Sequence, residues 1–167
     1  MCLLKQIKKK LPIGIENFAK LQAEDFYYVD KTMLIKELLD NWAEVNLFTR
    51  PRRFGKSTAA DMLAAYYGRN EDTSVLFERL KIGQEQSYQK HLNKYDVIKI
   101  NMQEFLSMSE SVEDMLNILQ MRLIKDLKSA YPEVVSSDRL MFAMQDVFAE
   151  TKCQFVILID EWDCLFR

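Results

Sequence analysis

The chain has 167 residues, of which 49% are hydrophobic and 29% charged. That length is enough for one domain with a sizeable core, and these proportions disfavour a disordered chain. The formal net charge of −2 argues against bulk affinity for nucleic acid, so that only local basic clusters remain as candidates for it.

Cysteine usage and apolar patterning bear on the compartment. The three cysteines lack the C-x-x-C spacing, which favours reduced thiols, and one histidine with scattered cysteines is a poor zinc site. The first basic residues follow a short apolar stretch, which is the reverse of a signal peptide, and no run approaches roughly 18 apolar residues. We therefore expect a cytoplasmic protein with no membrane partner.

The first 45 residues are predicted to form an irregular segment followed by a helix. Pro12 and Gly14 interrupt the chain, and one short strand is predicted at residues 27–29. Asp30 is predicted to cap a helix that continues to about Asn41. The helix is predicted from apolar residues that recur at helical spacing, namely Leu34, Ile35, Leu38 and Leu39.

The next segment has the pattern of a phosphate-binding loop. The apolar run at residues 46–49 predicts a strand, and Gly-Lys-Ser follows after a turn. In such a loop backbone N–H groups and a helix start converge on phosphate oxygens, while the lysine approaches the β- and γ-phosphates and the serine approaches Mg²⁺. We predict that a nucleotide and Mg²⁺ bind there, with Ser57 as a metal ligand. The predicted binding residues are Arg52, Arg53, Phe54, Gly55, Lys56, Ser57 and Thr58.

The loop departs from the G-x-x-x-x-G-K-[ST] pattern at its first position, where Arg50 precedes Pro51. Proline fixes φ near about −65° and biases the preceding residue toward extended geometry, so that stiffness replaces the mobility of a glycine. Arg52 and Arg53 add positive charge beside the proposed phosphates. The alternative interpretation is a basic surface turn that binds a nucleic-acid backbone.

After the loop, a helix is predicted from Lys56 to a stop at Gly68. Residues 70–95 are predicted to contain a charged helix and a loop. Residues 97–101 alternate enough to predict a strand, with Asn101 forming a turn at its end. The alternative is that Asn101 approaches the site.

Two further helices are predicted in the C-terminal half. Ser111 and Asp114 form a capping box that opens a helix whose apolar stripe is predicted to be core. Pro132 marks the end of that helix. Asp138 is predicted to cap a further helix before the last strand.

The second half of the site is predicted near the end of the sequence. Residues 155–159 form an apolar run without alternation, which is typical of a strand buried on both faces of a parallel sheet. Asp160 and Glu161 follow at its carboxyl end, where such sheets bind ligands. We predict that Asp160 holds Mg²⁺ through water, and that Glu161 is the catalytic residue that orients or deprotonates the attacking water. The alternative is a pair of solvated acids closing a buried strand.

With these motifs the chain resembles a bacterial family of AAA-ATPase-like P-loop proteins, whose phosphate loop is itself Arg-Pro-Arg-Arg-Phe-Gly-Lys-Ser. Residues 11–15 and 26–39 look like the N-terminal signature of that family. Residues 158–163 look like its second acidic motif, with Trp162 where many members have tyrosine. The resemblance covers about residues 10–167. It implies that the absence of the first glycine is a feature of the family.

The resemblance implies an α/β protein with the P-loop NTPase three-layer fold and a parallel sheet. In that fold a strand later in the chain separates the phosphate-loop strand from the Asp-Glu strand. Because the sequence ends at Arg167, we expect a C-terminally truncated, partial ATPase domain over residues 1–167. Residues 1–45 would be the N-terminal segment and helix, and residues 46–167 the core up to the acidic strand. Longer relatives also carry a PD-(D/E)XK nuclease-like C-terminal domain.

The family places residues 30–32 near the nucleotide base, although a helix cap with solvated polar residues explains them as well. Three functions remain open. The first is an Mg-ATP-binding domain with impaired hydrolysis. The second is a non-catalytic module whose incomplete sheet edge is filled by a second copy or another chain. The third is a nucleic-acid binder that uses the turn at Arg52 and Arg53.

Overall fold

The structure, a computed structural model, describes residues 9–41, 43–49, 51 and 54–166. These residues divide into two compact units. The first unit ends at Lys94 and the second begins at Tyr95. Arg50, Arg52 and Arg53 lie outside the described residues.

The first unit is helical. Its α-helices are α1 (Phe18–Ala23), α2 (Met33–Asp40), α3 (Lys56–Tyr67) and α4 (Tyr88–His91), and 3-10 turns lie at Ser74–Leu76 and Lys81–Gln84. The helix predicted after the phosphate loop is confirmed, because α3 begins at Lys56 and its last turn is closed by the Gly68 N–H, which donates to the Ala64 carbonyl. Short helical turns take the place of the charged helix predicted over residues 70–95.

Aromatic rings form the core of the first unit. Phe18, Tyr66 and Phe77 are fully buried, and the ring centroid of Phe77 lies 5.1 Å from that of Phe18 and 5.9 Å from that of Tyr66. The Tyr66 hydroxyl donates a 2.6 Å hydrogen bond to the Tyr88 carbonyl, so that its polar tip is satisfied inside the core. The core therefore joins α1 and α3 to the turns that follow α3.

Two strands predicted in this unit are not formed. Residues 27–29 contain no strand, although the Tyr27 N–H donates to the Lys10 carbonyl. Residues 43–49 contain none either, and Val45 and Leu47 are exposed. The prediction was wrong because a strand requires a neighbour that accepts its backbone hydrogen bonds, and an apolar run in the sequence does not supply one.

The second unit combines two strands with helices. Its elements are β1 (Asp96–Asn101), α5 (Met102–Ser107), α6 (Val112–Ala130), α7 (Leu140–Thr151), β2 (Phe155–Asp160) and a 3-10 turn at Trp162–Phe166. β1 and β2 are parallel neighbours, with Asp96 opposite Phe155 and Asn101 opposite Asp160. Both predicted strands are therefore confirmed, and the mixture of helices with a small parallel sheet is consistent with the α/β class.

Two apolar clusters hold the second unit together. One buries Ile100, Met102, Met115 and Cys164, and the other buries Leu127, Val135, Ala143 and Val147. The stripe on α6 contributes to both clusters, as predicted, although Val112 and Leu116 on the same helix are exposed. The predicted cap of α6 is confirmed, since the Ser111 hydroxyl accepts a 3.1 Å hydrogen bond from the Asp114 N–H.

Two predictions about the second unit were wrong. Asp138 does not cap α7; its carboxylate pairs with Lys128 at 2.6 Å, and Arg139 is the N-cap residue. β2 is not buried on both faces, because Ile157 and Ile159 are 51% and 52% exposed and alternate with less exposed neighbours. A uniformly apolar run does not reveal which of its faces another element covers.

Among the described residues, no helix has both the length and the apolar character required to cross a membrane.

Candidate functional site

The predicted site residues are distributed over both units. Residues 54–58 belong to the first unit, and Asp160 and Glu161 belong to the second. Arg52 and Arg53, which were predicted to lie beside the phosphates, are outside the described residues. The two groups are therefore described separately.

Gly55 connects the loop to α3. Its φ is +75°, in the left-handed region that glycine adopts without steric cost, and it is the N-cap residue of α3. The Ala59 N–H donates to the Gly55 carbonyl at 3.0 Å, so that Lys56, Ser57 and Thr58 occupy the first helical turn. The N–H groups of a first turn have no intrahelical acceptor and favour an anion. This arrangement is suited to phosphate oxygens.

Lys31 contacts this loop, and the sequence did not predict that contact. Its Nζ donates a 2.7 Å hydrogen bond to the Phe54 carbonyl oxygen. A Cβ placed on residue 55 would lie 3.2 Å from the same Nζ. The sequence assigned residues 30–32 to a helix cap or to the base of a nucleotide, and no local pattern relates Lys31 to a loop 23 residues away.

The residues on either side of Lys31 are fixed by hydrogen bonds. Thr32 is fully buried, and both its N–H and its hydroxyl donate to Asp30 Oδ1, at 2.9 and 2.6 Å. The Lys81 N–H donates to Asp30 Oδ2 at 2.8 Å, and the Ile82 N–H donates to Thr32 Oγ1 at 3.2 Å. We call these four bonds among Asp30, Thr32, Lys81 and Ile82 the anchor. The anchor attaches the start of α2 to the 3-10 turn that begins at Lys81.

The anchor also corrects the cap predicted at Asp30. The N-cap residue of α2 is Thr32, and the helix begins at Met33. Asp30 lies two residues before the cap, and its carboxylate accepts from the Thr32 N–H and from the distant Lys81 N–H. A long-range partner therefore determined how the carboxylate is used.

We expect Asp30→Asn to reduce stability at neutral pH. In this variant the free energy of unfolding should also depend less on pH in the acidic range. Partial burial alone would raise the pKa of Asp30, but the hydrogen bonds from Thr32 and Lys81, together with the charge of Lys81, outweigh burial and lower that pKa. The stabilisation is therefore complete above the unfolded pKa of about 3.9 and is lost as the pH falls through the lower folded pKa. Asparagine places an NH₂ group where an acceptor is needed, at a cost of about 1–3 kcal/mol.

Urea unfolding from neutral to acidic pH measures this effect, and Asp40→Asn on the exposed end of α2 is the matched control. The role assigned to Asp30 is wrong if both variants follow the wild-type curve.

Asp160 and Glu161 form a sharp turn directly after β2. Asp160 is buried, with 8% of its surface exposed, and its Oδ1 accepts a 2.9 Å hydrogen bond from the Glu161 N–H. Glu161 has φ of +52°, which is uncommon for a residue with a side chain. Such conformations cluster at functional sites, where the surrounding structure maintains the strain. The Cys164 N–H donates to the Glu161 carbonyl at 3.1 Å and continues the turn.

The opposite strand contributes a second polar end. Asn101 is paired with Asp160 in the register of the sheet, but its side chain caps α5 by accepting from the Gln103 N–H at 3.1 Å. Its amide also donates to Glu104 Oε1 at 3.1 Å. The turn-forming role predicted for Asn101 is thus confirmed.

Within the described ranges, no three or more His, Cys, Asp or Glu side chains come together as a metal cage. Mg²⁺ keeps several waters and takes one or two carboxylates together with phosphate oxygens. Ser57 in the first unit and Asp160 in the second each carry an oxygen donor, and both remain predicted ligands of Mg²⁺.

Comparison with known proteins identifies the family. Residues 12–166 match the family model of the AAA-ATPase-like proteins, which is described as predicted AAA-ATPase. The chain is also 46% identical over 76 residues to a protein of Azotobacter chroococcum mcd 1 described as an uncharacterized protein in the vnfD 5' region. That match covers 45% of this chain and 14% of the relative, so the chain spans a small part of the relative's length. No solved structure matches. Since the family model covers most of the sequence, the chain belongs to the predicted AAA-ATPase family.

Proposed function

We propose that this chain is an Mg-ATP-binding P-loop domain of the AAA-ATPase type. Membership of the predicted AAA-ATPase family indicates a nucleotide-binding domain. The single observation that carries the finer proposal is the left-handed Gly55 at the start of α3, with Lys56, Ser57 and Thr58 in the first turn. The parallel pairing of β1 with β2, and the acids at the carboxyl end of β2, support a P-loop NTPase fold.

In this proposal the loop residues bind the triphosphate. Lys56 neutralises the β- and γ-phosphates, and the N–H groups at the start of α3 donate to phosphate oxygens. Ser57 offers its hydroxyl to the metal, and Thr58 contributes to the phosphate contacts. Arg52, Arg53 and Phe54 complete the phosphate-binding set.

The acidic turn supplies the remaining chemistry. Asp160 would hold Mg²⁺ through water, since its Oδ1 accepts one hydrogen bond from the Glu161 N–H and the carboxylate has further lone pairs for a metal-bound water. Glu161 orients the attacking water or removes its proton. Bound Mg²⁺ neutralises phosphate charge during phosphoryl transfer, which depends mostly on positioning and electrostatics.

Competition binding tests the proposal. A fluorescent ATP analogue is titrated into the protein with Mg²⁺ and is then displaced with ATP, AMP or a single-stranded oligonucleotide. We expect ATP to displace the probe and AMP to displace it much more weakly, because AMP lacks the β- and γ-phosphates. Displacement by the oligonucleotide alone, with a steep salt dependence, would instead favour the nucleic-acid function.

ATP turnover by the same protein measures the role of Glu161. We expect hydrolysis by the wild-type chain to be impaired and therefore slow. Glu161→Gln should lower that rate further while ATP affinity stays within about twofold of wild type, because the glutamate acts on water and not on binding. Turnover that is unchanged in this variant would remove Glu161 from the proposed mechanism.

A further inference from the structure

The contact between Lys31 and the phosphate loop restricts the orientation of one peptide group. Lys31 Nζ lies 2.7 Å from the Phe54 carbonyl oxygen. The peptide that joins Phe54 to Gly55 is planar, and in the trans form its C=O and N–H point in opposite directions. No cis peptide bond occurs among the described residues. The ammonium therefore directs the Gly55 N–H away from itself.

Lys31 can serve this purpose because its own backbone is fixed. The two neighbours of Lys31, Asp30 and Thr32, form the anchor, which reaches the N–H groups of Lys81 and Ile82. Thr32 is fully buried, so this part of the chain cannot shift without exposing core. The exposed Lys31 side chain thus extends from a fixed point to the loop.

Gly55 has the conformational freedom that makes such a contact useful. A glycine populates positive and negative φ about equally, so that nothing in residue 55 itself selects φ of +75°. The hydrogen bond from Lys31 to the Phe54 carbonyl selects one of these conformations. The entropy cost of fixing the Lys31 backbone is already met by the folded anchor. The loop is then ordered before any ligand binds, which reduces the entropy cost of binding.

We propose that Lys31 is a positioning residue for the phosphate loop: through the Phe54 carbonyl it holds the Gly55 N–H in the direction required for phosphate. The inference rests on the proposed nucleotide function of residues 54–58. Lys31 acts through the loop backbone and needs no contact with the nucleotide.

The test uses two substitutions of Lys31 and one matched control. Lys31→Met keeps the length of the side chain and removes its charge and its donors, whereas Lys31→Arg retains both. Lys20→Met makes the same change at an exposed lysine of α1 that pairs with Glu24 at 4.0 Å. Circular dichroism and thermal unfolding confirm that each variant is folded.

Two quantities are measured on each variant. The first is amide hydrogen exchange at Ala59 without nucleotide, because the Ala59 N–H donates to the Gly55 carbonyl whereas the N–H groups of residues 56–58 have no intrahelical acceptor. The second is the Kd of Mg-ATP. We expect Lys31→Met to raise the exchange rate and the Kd by about tenfold each, which is the scale of one hydrogen bond to a charged group. Lys31→Arg should return the exchange rate and the Kd most of the way to the wild-type values. Lys20→Met should change neither the exchange rate nor the Kd.

The two proposals fail in different ways. If wild-type protein does not bind nucleotide, the proposed function is wrong, and the exchange rates still decide whether Lys31 orders the loop. If wild-type protein binds ATP and Lys31→Met leaves exchange and Kd unchanged, the role of Lys31 alone is wrong. A failure of Lys31→Arg to restore exchange would also overturn it, because the arginine retains the donor and the charge.

Discussion

Lys56→Met is expected to weaken Mg-ATP binding by about 100-fold, the scale of losing a charge-assisted hydrogen bond to phosphate. Lys56 is the first residue of α3 and follows directly after the left-handed Gly55. Methionine keeps the length of the side chain and suits a helix, so that the fold should persist. The measurement is the displacement titration with ATP.

Lys20→Met is the matched control, since it removes one positive charge elsewhere in the first unit. A general electrostatic effect would weaken both variants equally, whereas a phosphate contact weakens only the Lys56 variant. Wild-type affinity in Lys56→Met would exclude the loop as the phosphate site.

Gly83→Ala is expected to lower the free energy of unfolding by about 1–3 kcal/mol, the range for an overpacked position, although Gly83 is only half-buried. A Cβ at this residue would lie 2.5 Å from the Phe77 carbonyl oxygen and 3.0 Å from that of Glu78. Both neighbours are backbone atoms, which cannot rotate away as a side chain can. Chemical denaturation measures the loss.

The backbone shift that the added Cβ of Gly83→Ala requires should also weaken the hydrogen bonds of the anchor. Gly83 lies in the 3-10 turn whose Lys81 and Ile82 N–H groups bond to Asp30 and Thr32. Gly14→Ala is the matched control: Gly14 has φ of +72° but nothing within 4 Å of an added Cβ, so it carries only a conformational cost, about 1–2 kcal/mol. Intact anchor amide protection in Gly83→Ala, with the stability of wild type, would contradict this prediction.

Local patterns in the sequence predicted several elements correctly. The start of α3 after Gly55, its end before Gly68, the cap at Ser111 and the strands β1 and β2 all follow from residues that are neighbours in the chain. Capping and periodic burial act over a few residues, so their signals are readable without the fold. The Gly-Lys-Ser motif and the Asp-Glu pair were also visible in this way.

Contacts between distant residues decided the rest. The anchor joins Asp30 to Lys81 across 51 residues, and Lys31 reaches Phe54 across 23. The predicted strand at residues 46–49 and the buried outer face of β2 both depended on neighbours that an apolar run cannot specify. The sequence by itself determined which residues we propose for phosphate binding, because that chemistry belongs to side chains and to a local turn. Only the tertiary structure decided which side chain contacts the loop backbone, because a backbone carbonyl accepts from any donor that the fold brings near it.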